Sequence, residues 1–320
     1  MNLTNHTRFP AGIARMVIGQ DDRIAASVLV RVTYDLRGGS LVPSESQPWI
    51  VSQGPWEGPK GPMDGDLIFY KGGVDVFVFG HAVAEGGRPA SELDVEVRVG
   101  SAFQRSVRVF GPRVWYRRIG DLVPTPPGRF EALALTLRHA YGGRDTWDGL
   151  EIPWPENPDG MGFYATREGA IDKPLPYIEE PSLLIAKWDD RPPAAGLGPL
   201  PIGSAVRSRQ GLAVDKDGTP KVTPRFFNAA FAPMICPSAK PGDRAAVAGV
   251  SPDGLLAFTL PEIPFFVRLR FGAEQHELPL AIDQIGIEAD ERRVFIAYRC
   301  PFRYIVVPLQ ARECHLLERT

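Results

Sequence analysis

Thirteen prolines between Pro124 and Pro201 leave a helix of more than two turns almost nowhere to form in the middle of this chain. Each internal proline removes a backbone donor and clashes with the preceding turn. The whole sequence is punctuated in the same way, with 33 glycines and 32 prolines among 320 residues, about a fifth of the chain against roughly 12% in average proteins. That composition favours short strands joined by turns over long helices. Yet the proline-rich stretch also carries Tyr141, Trp147, Trp154, Phe163, Tyr164, Tyr177 and Trp188, too many large aromatics for a solvated linker. Residues 121–245 therefore read as an ordered, long-looped region pinned by aromatic anchors.

Outside that region hydrophobic alternation dominates. Val28, Val30, Val32 and Tyr34 fall on one face of a strand, with Arg31, Thr33 and Asp35 on the other. Leu93, Val95, Val97 and Val99 alternate with charged residues, and Val107 and Val109 repeat the pattern after Gly100, so residues 92–110 predict a β-hairpin with one wet face. Residues 74–83 are apolar on both faces, as in a covered central strand. Towards the end, Phe265 to Phe271, then Leu278, Leu280 and Ile282, then Val294, Ile296 and Tyr298 read as an antiparallel meander with a turn at Ala289 to Arg292. The expected fold is mainly β: two sandwich- or barrel-like antiparallel parts joined by the long Pro/Gly-rich region. The expected organisation is a single unit over 1–320, with lobes at 1–120, 121–245 and 246–320.

Charge and cysteine usage narrow the function classes. A net charge of −2 with scattered Lys and Arg gives no field for a polyanion, so nucleic acid is not an expected partner. Neither an apolar leader nor a run of about 18 apolar residues is present, so neither secretion nor a membrane is expected. Cys236, Cys300 and Cys314 are widely spaced and odd in number, which fits reduced structural thiols in the cytoplasm.

Motifs for catalysis are sparse. Gly160-Met-Gly-Phe-Tyr-Ala165 fits a dinucleotide pattern by letter, but lacks the preceding strand and following helix on which the phosphates would sit, so no cofactor is expected. Asp215-Lys-Asp-Gly218 lacks the remaining ligands of a calcium loop and reads as a turn. The five histidines are not paired at ligand spacing, so no metal is expected either. His81 reads as a hydrogen-bonded core residue of its apolar strand and His139 as structural. The richest segment is Trp154-Pro-Glu-Asn-Pro-Asp-Gly-Met-Gly-Phe163, in which Asn and Asp can cap turns and the glycines permit positive φ or close backbone approach. It either docks Trp154 and Phe163 into the body or contacts a partner. Arg225-Phe-Phe-Asn-Ala-Ala-Phe-Ala-Pro233 poses the same choice. The candidate partner-binding residues are Trp154, Asn157, Gly160, Gly162, Phe163, Phe227 and Asn228.

Taken in order, the Val28 to Asp35 strand, Gly80-His-Ala82, Val114-Trp115, Tyr141-Gly-Gly143, Glu156-Asn-Pro158 with Gly160 and Gly162, Gly196-Leu-Gly-Pro199, Phe227-Asn-Ala229 and Ile282-Asp283 resemble the DUF2169 family over essentially the whole chain. Met234-Ile235 and Tyr298 depart from the family pattern. The resemblance implies no catalytic residues. It implies a bacterial cytoplasmic adaptor or chaperone that holds a type VI secretion effector and helps mount it on the spike formed by VgrG-like and PAAR-like proteins. Two other readings stand beside it: a hydrolase built on His81, His139, Asp145 and Asp148, and a carbohydrate-binding or structural β module using Trp147 and Trp154.

Overall fold

The computed structural model describes residues 1–17 and 23–319. Its principal strands are β1 (Leu3–Asn5), β2 (Ala11–Val17), β3 (Arg23–Arg37), β4 (Ser40–Pro43), β5 (Val74–Phe79), β6 (Glu92–Val99), β7 (Phe103–Phe110), β8 (Ile178–Glu179), β9 (Ile235–Cys236), β10 (Arg244–Ala248), β11 (Leu256–Thr259), β12 (Phe265–Phe271), β13 (Glu274–Pro279), β14 (Ala281–Glu288), β15 (Arg293–Ile305) and β16 (Arg312–Glu318). The fold is mainly β, as the alternation requires. Three sheets carry it: seven strands in the order β2-β3-β15-β14-β5-β9 with β4 beside the far end of β3, five in the order β8-β7-β6-β10-β11, and four in the order β1-β16-β12-β13. No barrel closes among the described residues. Within these three sheets pairing is antiparallel except where β5 meets β14 and β1 meets β16.

The hairpin expected at 92–110 forms as β6 and β7. The C-terminal meander does not form as a single ladder. Leu278 and Ile282, expected on one strand, lie on β13 and β14 in different sheets, and the chain changes sheet just after Pro279. A proline cannot extend a ladder through its nitrogen, so the hydrophobic period continues across a break in pairing.

The long β3–β15 ladder pairs Val28, Val30, Val32 and Tyr34 with Cys300, Tyr298, Ile296 and Val294, an apolar face buried against the other sheets. Phe265 of β12 packs on Tyr298 at 5.7 Å between ring centroids, and the Tyr298 and Tyr34 hydroxyls share a hydrogen bond of 2.8 Å. The opposite face is buried as well. Arg31 is 1% exposed and Thr33 0%, because residues 44–72 fold over them as a cover. Trp49 of that cover lies over Phe295 at 3.9 Å, its indole N–H donating to Glu288. Phe295 in turn occupies the space above Gly286, where any side chain would overlap the ring.

This second face is held by paired charges. Arg31 donates to Asp66 at 2.5 and 3.2 Å and to Gln284 at 2.8 Å. Arg299 makes a two-pronged bond to Asp283 at 2.8 and 3.0 Å and reaches the carbonyls of Ile68 and Asp66. Lys71 bridges Asp75 at 2.8 Å and Asp283 at 3.2 Å. Burial alone would raise the Asp283 carboxyl, but Arg299 and Lys71 outweigh it and hold the group at about 2. Burial would lower the Lys71 ammonium, and Asp283 with Asp75 reverse the sign and raise it. Away from this network, the three cysteines are free and buried, and burial pushes Cys300 and Cys314 up to about 12. They are almost entirely thiols at neutral pH, in keeping with the structural role expected for them.

Asp283→Asn leaves two buried cations short of a counter-charge and is predicted to cost about 3–5 kcal/mol at pH 7. A carboxyl whose folded value lies below its unfolded one stabilises fully above the unfolded value and loses that contribution as pH falls through the folded one. The gap between wild type and Asp283→Asn should therefore be widest above pH 4 and narrow by about 2 kcal/mol towards pH 2. Urea denaturation across that range measures it.

Candidate functional site

The Trp154–Phe163 segment folds as a clasp around Asn157, which is 2% exposed. Its side-chain amide donates to the carbonyls of Leu137 at 2.7 Å and Tyr141 at 3.1 Å, and its own carbonyl accepts from the Gly143 amide at 2.9 Å. Tyr141 and Gly142 pair in parallel with Met161 and Gly162, bringing two backbone segments together over the Asn157 amide. Glycine is required there: a side chain at Gly142 or Gly160 would overlap Asn157, and one at Gly162, where φ is +94°, would meet Pro176 at 2.5 Å. These glycines serve close approach of one chain segment to another.

Asn228 repeats the device 71 residues later in sequence. It is fully buried, accepts from the Gly72 amide at 2.9 Å, and donates to the Gly73 carbonyl at 3.2 Å and to Asp75 at 2.9 Å. The amides of Ala229 and Ala230 close on the same carboxylate at 3.1 and 3.2 Å. In both places an asparagine lies against a glycine pair, Gly142-Gly143 through the main-chain carbonyl of Asn157 and Gly72-Gly73 through the side-chain amide of Asn228. The second joins residues 224–231 to the buried ion network through Asp75.

Around the first clasp the proline-rich region builds a small core of its own from Trp115, Leu122, Tyr141, Phe163, Ala170, Leu175 and Ile185. Trp154 is half-buried between Tyr141 and Phe163, each 5.4 Å away between centroids. Burial raises the Tyr141 hydroxyl to about 12 against the opposing pull of Arg191, with a small addition from Asp190. Of the seven candidates, then, Asn157, Phe163 and Asn228 lie inside, while Trp154, Gly160, Gly162 and Phe227 are half-buried. Asn157, Gly160, Gly162, Trp154 and Phe163 come together; Phe227 and Asn228 sit elsewhere.

Beside the clasp a cleft of about 410 Å³ opens. Apolar Ala194, Val206, Phe231, Ala232 and Pro233 line it together with two ion pairs: Glu156 with the exposed Arg209 at 2.7 Å, and the largely buried Arg105 with Glu180 at 2.5 Å. Arg209 belongs to α1 (Ala205–Gly211), a short helix started by the Ser204 hydroxyl accepting from the Val206 amide at 3.3 Å. Except for Arg105, every lining residue comes from the proline-rich middle. The sequence reading missed Arg105, Glu180, Val206 and Arg209. They are far apart in the chain, and the available signals were Glu156 within the clasp segment and Phe231 within Arg225–Pro233.

The residues considered for other chemistry are dispersed. His81 is not a core residue; it sits half-exposed at a strand end and pairs with Asp290 at 2.8 Å. His139 bonds the Ala134 carbonyl at 2.7 Å, Asp145 accepts from the Ala165 amide at 2.7 Å, and Asp148 occupies a turn at φ +50°. Trp147 is 60% exposed at the tip of the Arg144–Pro153 hairpin, whereas Trp154 is half-buried in its cluster. Among the described residues no group of three or more acidic, His or Cys side chains is placed to hold a metal ion.

The family model described as "Uncharacterized protein conserved in bacteria (DUF2169)" matches residues 21–299. No curated protein and no solved structure matches the chain. No helix among the described residues is long and apolar enough to cross a membrane.

Phe163→Ala empties a buried aromatic site and is predicted to cost about 3–5 kcal/mol. Asn157→Ala removes the donor to two buried carbonyls and should cost about 1–3 kcal/mol. Chemical denaturation checks both, and a cost within 0.5 kcal/mol for Asn157→Ala would show that the clasp does not hold the loops.

Proposed function

The chain belongs to the DUF2169 family, and on that premise we propose that it is a non-catalytic adaptor of the bacterial cytoplasm. It binds a type VI secretion effector and helps load it onto the VgrG/PAAR spike. The observation that carries this reading is the cleft beside the Asn157 clasp: an apolar lining with the Glu156–Arg209 ion pair at its rim, built from hydrogen-bonded loops on a β scaffold. An apolar centre inside a polar rim is the anatomy of a protein-binding hot spot. At about 410 Å³ it accepts one or two anchoring side chains, and a stable complex of roughly 1,600 Å² would spread over the surrounding loops. The clasp residues act from beneath, fixing Glu156 on the rim.

Ala232 is exposed at the cleft wall, outside the buried core. Ala232→Arg is predicted to fill the cleft and reduce recovery of a co-expressed effector about tenfold, with the melting temperature within about 2 °C of wild type. Arg209→Glu, which reverses one rim charge, should weaken recovery less. Affinity co-purification and thermal unfolding measured together decide the matter, and full recovery with Ala232→Arg would remove the cleft from the proposal.

A further inference from the structure

The pleat of β2 determines which of its main-chain groups are left over. The Arg31 amide donates to the Pro10 carbonyl at 2.9 Å, and in an antiparallel ladder the bonded pairs alternate. Gly12, Ala14 and Met16, opposite Leu29, Ser27 and Ala25, therefore bond inward to β3. The N–H and C=O groups of Ile13, Arg15 and Val17 point away from the sheet. β2 ends that sheet, and no described residue bonds to these outward groups.

Next to this edge the cover on the charged face stops short, leaving a groove of about 550 Å³. Met16, Ala25, Phe69, Tyr70 and Phe227 line it with apolar surface, and Met16 and Val17 are 51% and 68% exposed. Among the described lining residues Arg15 and Arg303 are the charged ones, and none is a carboxylate. Arg303 lies over the Phe69 ring at 5.6 Å, and Arg15 donates to the Met1 carbonyl at 2.6 Å.

We propose that an extended, acidic segment of a partner protein adds to β2 as a further strand. Its main chain pairs with Ile13, Arg15 and Val17, alternate apolar side chains enter the groove past Met16, and a carboxylate meets Arg15 or Arg303. Main-chain bonds supply affinity in such strand addition, and pockets for alternate side chains supply selectivity. A second copy of this chain is the poorer occupant, because edge-to-edge pairing centred on Arg15 sets like charges opposite each other. The inference rests on the reading of the chain as a protein-binding scaffold, but not on the cleft.

The test uses the whole protein and fluorescein-labelled peptides: Asp-Val-Thr-Val-Thr-Val-Asp, the same peptide with Lys at both ends, and the acidic peptide N-methylated on alternate residues. By anisotropy, the acidic peptide should bind at least tenfold more tightly than the basic one, and N-methylation should cost about tenfold. Arg15→Glu should reverse the charge preference. Val17→Pro, which deletes an outward donor while leaving the β3 ladder intact, should weaken binding about tenfold without lowering the melting temperature. Equal binding of methylated and unmethylated peptides would overturn the proposal, as would a dimer of the free protein that dissociates in Val17→Pro. Effector recovery on the same variants separates the two readings. Recovery that depends on Ala232 without peptide discrimination sinks strand addition alone; peptide discrimination without any effector recovery sinks the adaptor.

Discussion

Placing charge inside a sheet is the constraint to which the rest of this protein answers. Lys71, Asp75, Asp283 and Arg299 are almost wholly buried, as are Arg31 and Asp66, and each relies on a partner from a different segment. Removing one partner from a buried pair costs several kcal/mol. The network is therefore favourable only when the 44–72 cover and the 224–231 loop are both seated on the seven-stranded sheet. Two long loops, which alone would be entropically free, are locked by electrostatics into the same cooperative unit as the strands. Residues of those loops also line the cleft, through Phe231, and the groove, through Phe69, Tyr70 and Phe227.

The strands were legible in the sequence because alternation reports a pleat directly. Val28 to Tyr34 and the 92–110 hairpin lie where the pattern places them. What alternation cannot report is whether a polar face meets water or other protein. Arg31 and Thr33 read only as the face opposite the valines, and the cover that buries them is a proline- and glycine-rich stretch without periodicity. The signal that was available lay in single charges within apolar runs, Asp75 in Val-Asp-Val-Phe and Asp283 in Ile-Asp-Gln-Ile. An acid in such a run demands a buried cation.

The aromatic anchoring of the proline-rich middle was also visible, and its separate small core accounts for most of those rings. The cleft was not. Its walls come from residues between 105 and 233, and no local pattern brings Glu156 to Arg209 or Arg105 to Glu180. Asn157 and Asn228 were legible as special but not as a matched pair. Only the structure shows that each closes on a glycine pair, so that the same solution secures two unrelated loops.

The longest ladder has a consequence for how the molecule is made. Tyr34 and Tyr298, hydroxyl to hydroxyl, are 264 residues apart in the chain. At a synthesis rate of roughly 5–20 residues per second, β3 leaves the ribosome roughly 15–50 seconds before β15 exists to pair with it. For that interval a fifteen-residue strand, ten of whose residues are buried in the finished protein, has β2, β4 and the 44–72 cover already made but lacks β15, the neighbour with which it pairs along most of its length. The longest ladder of the molecule thus closes only when nearly the whole chain has been made, and until then the β15 side of β3 stands open.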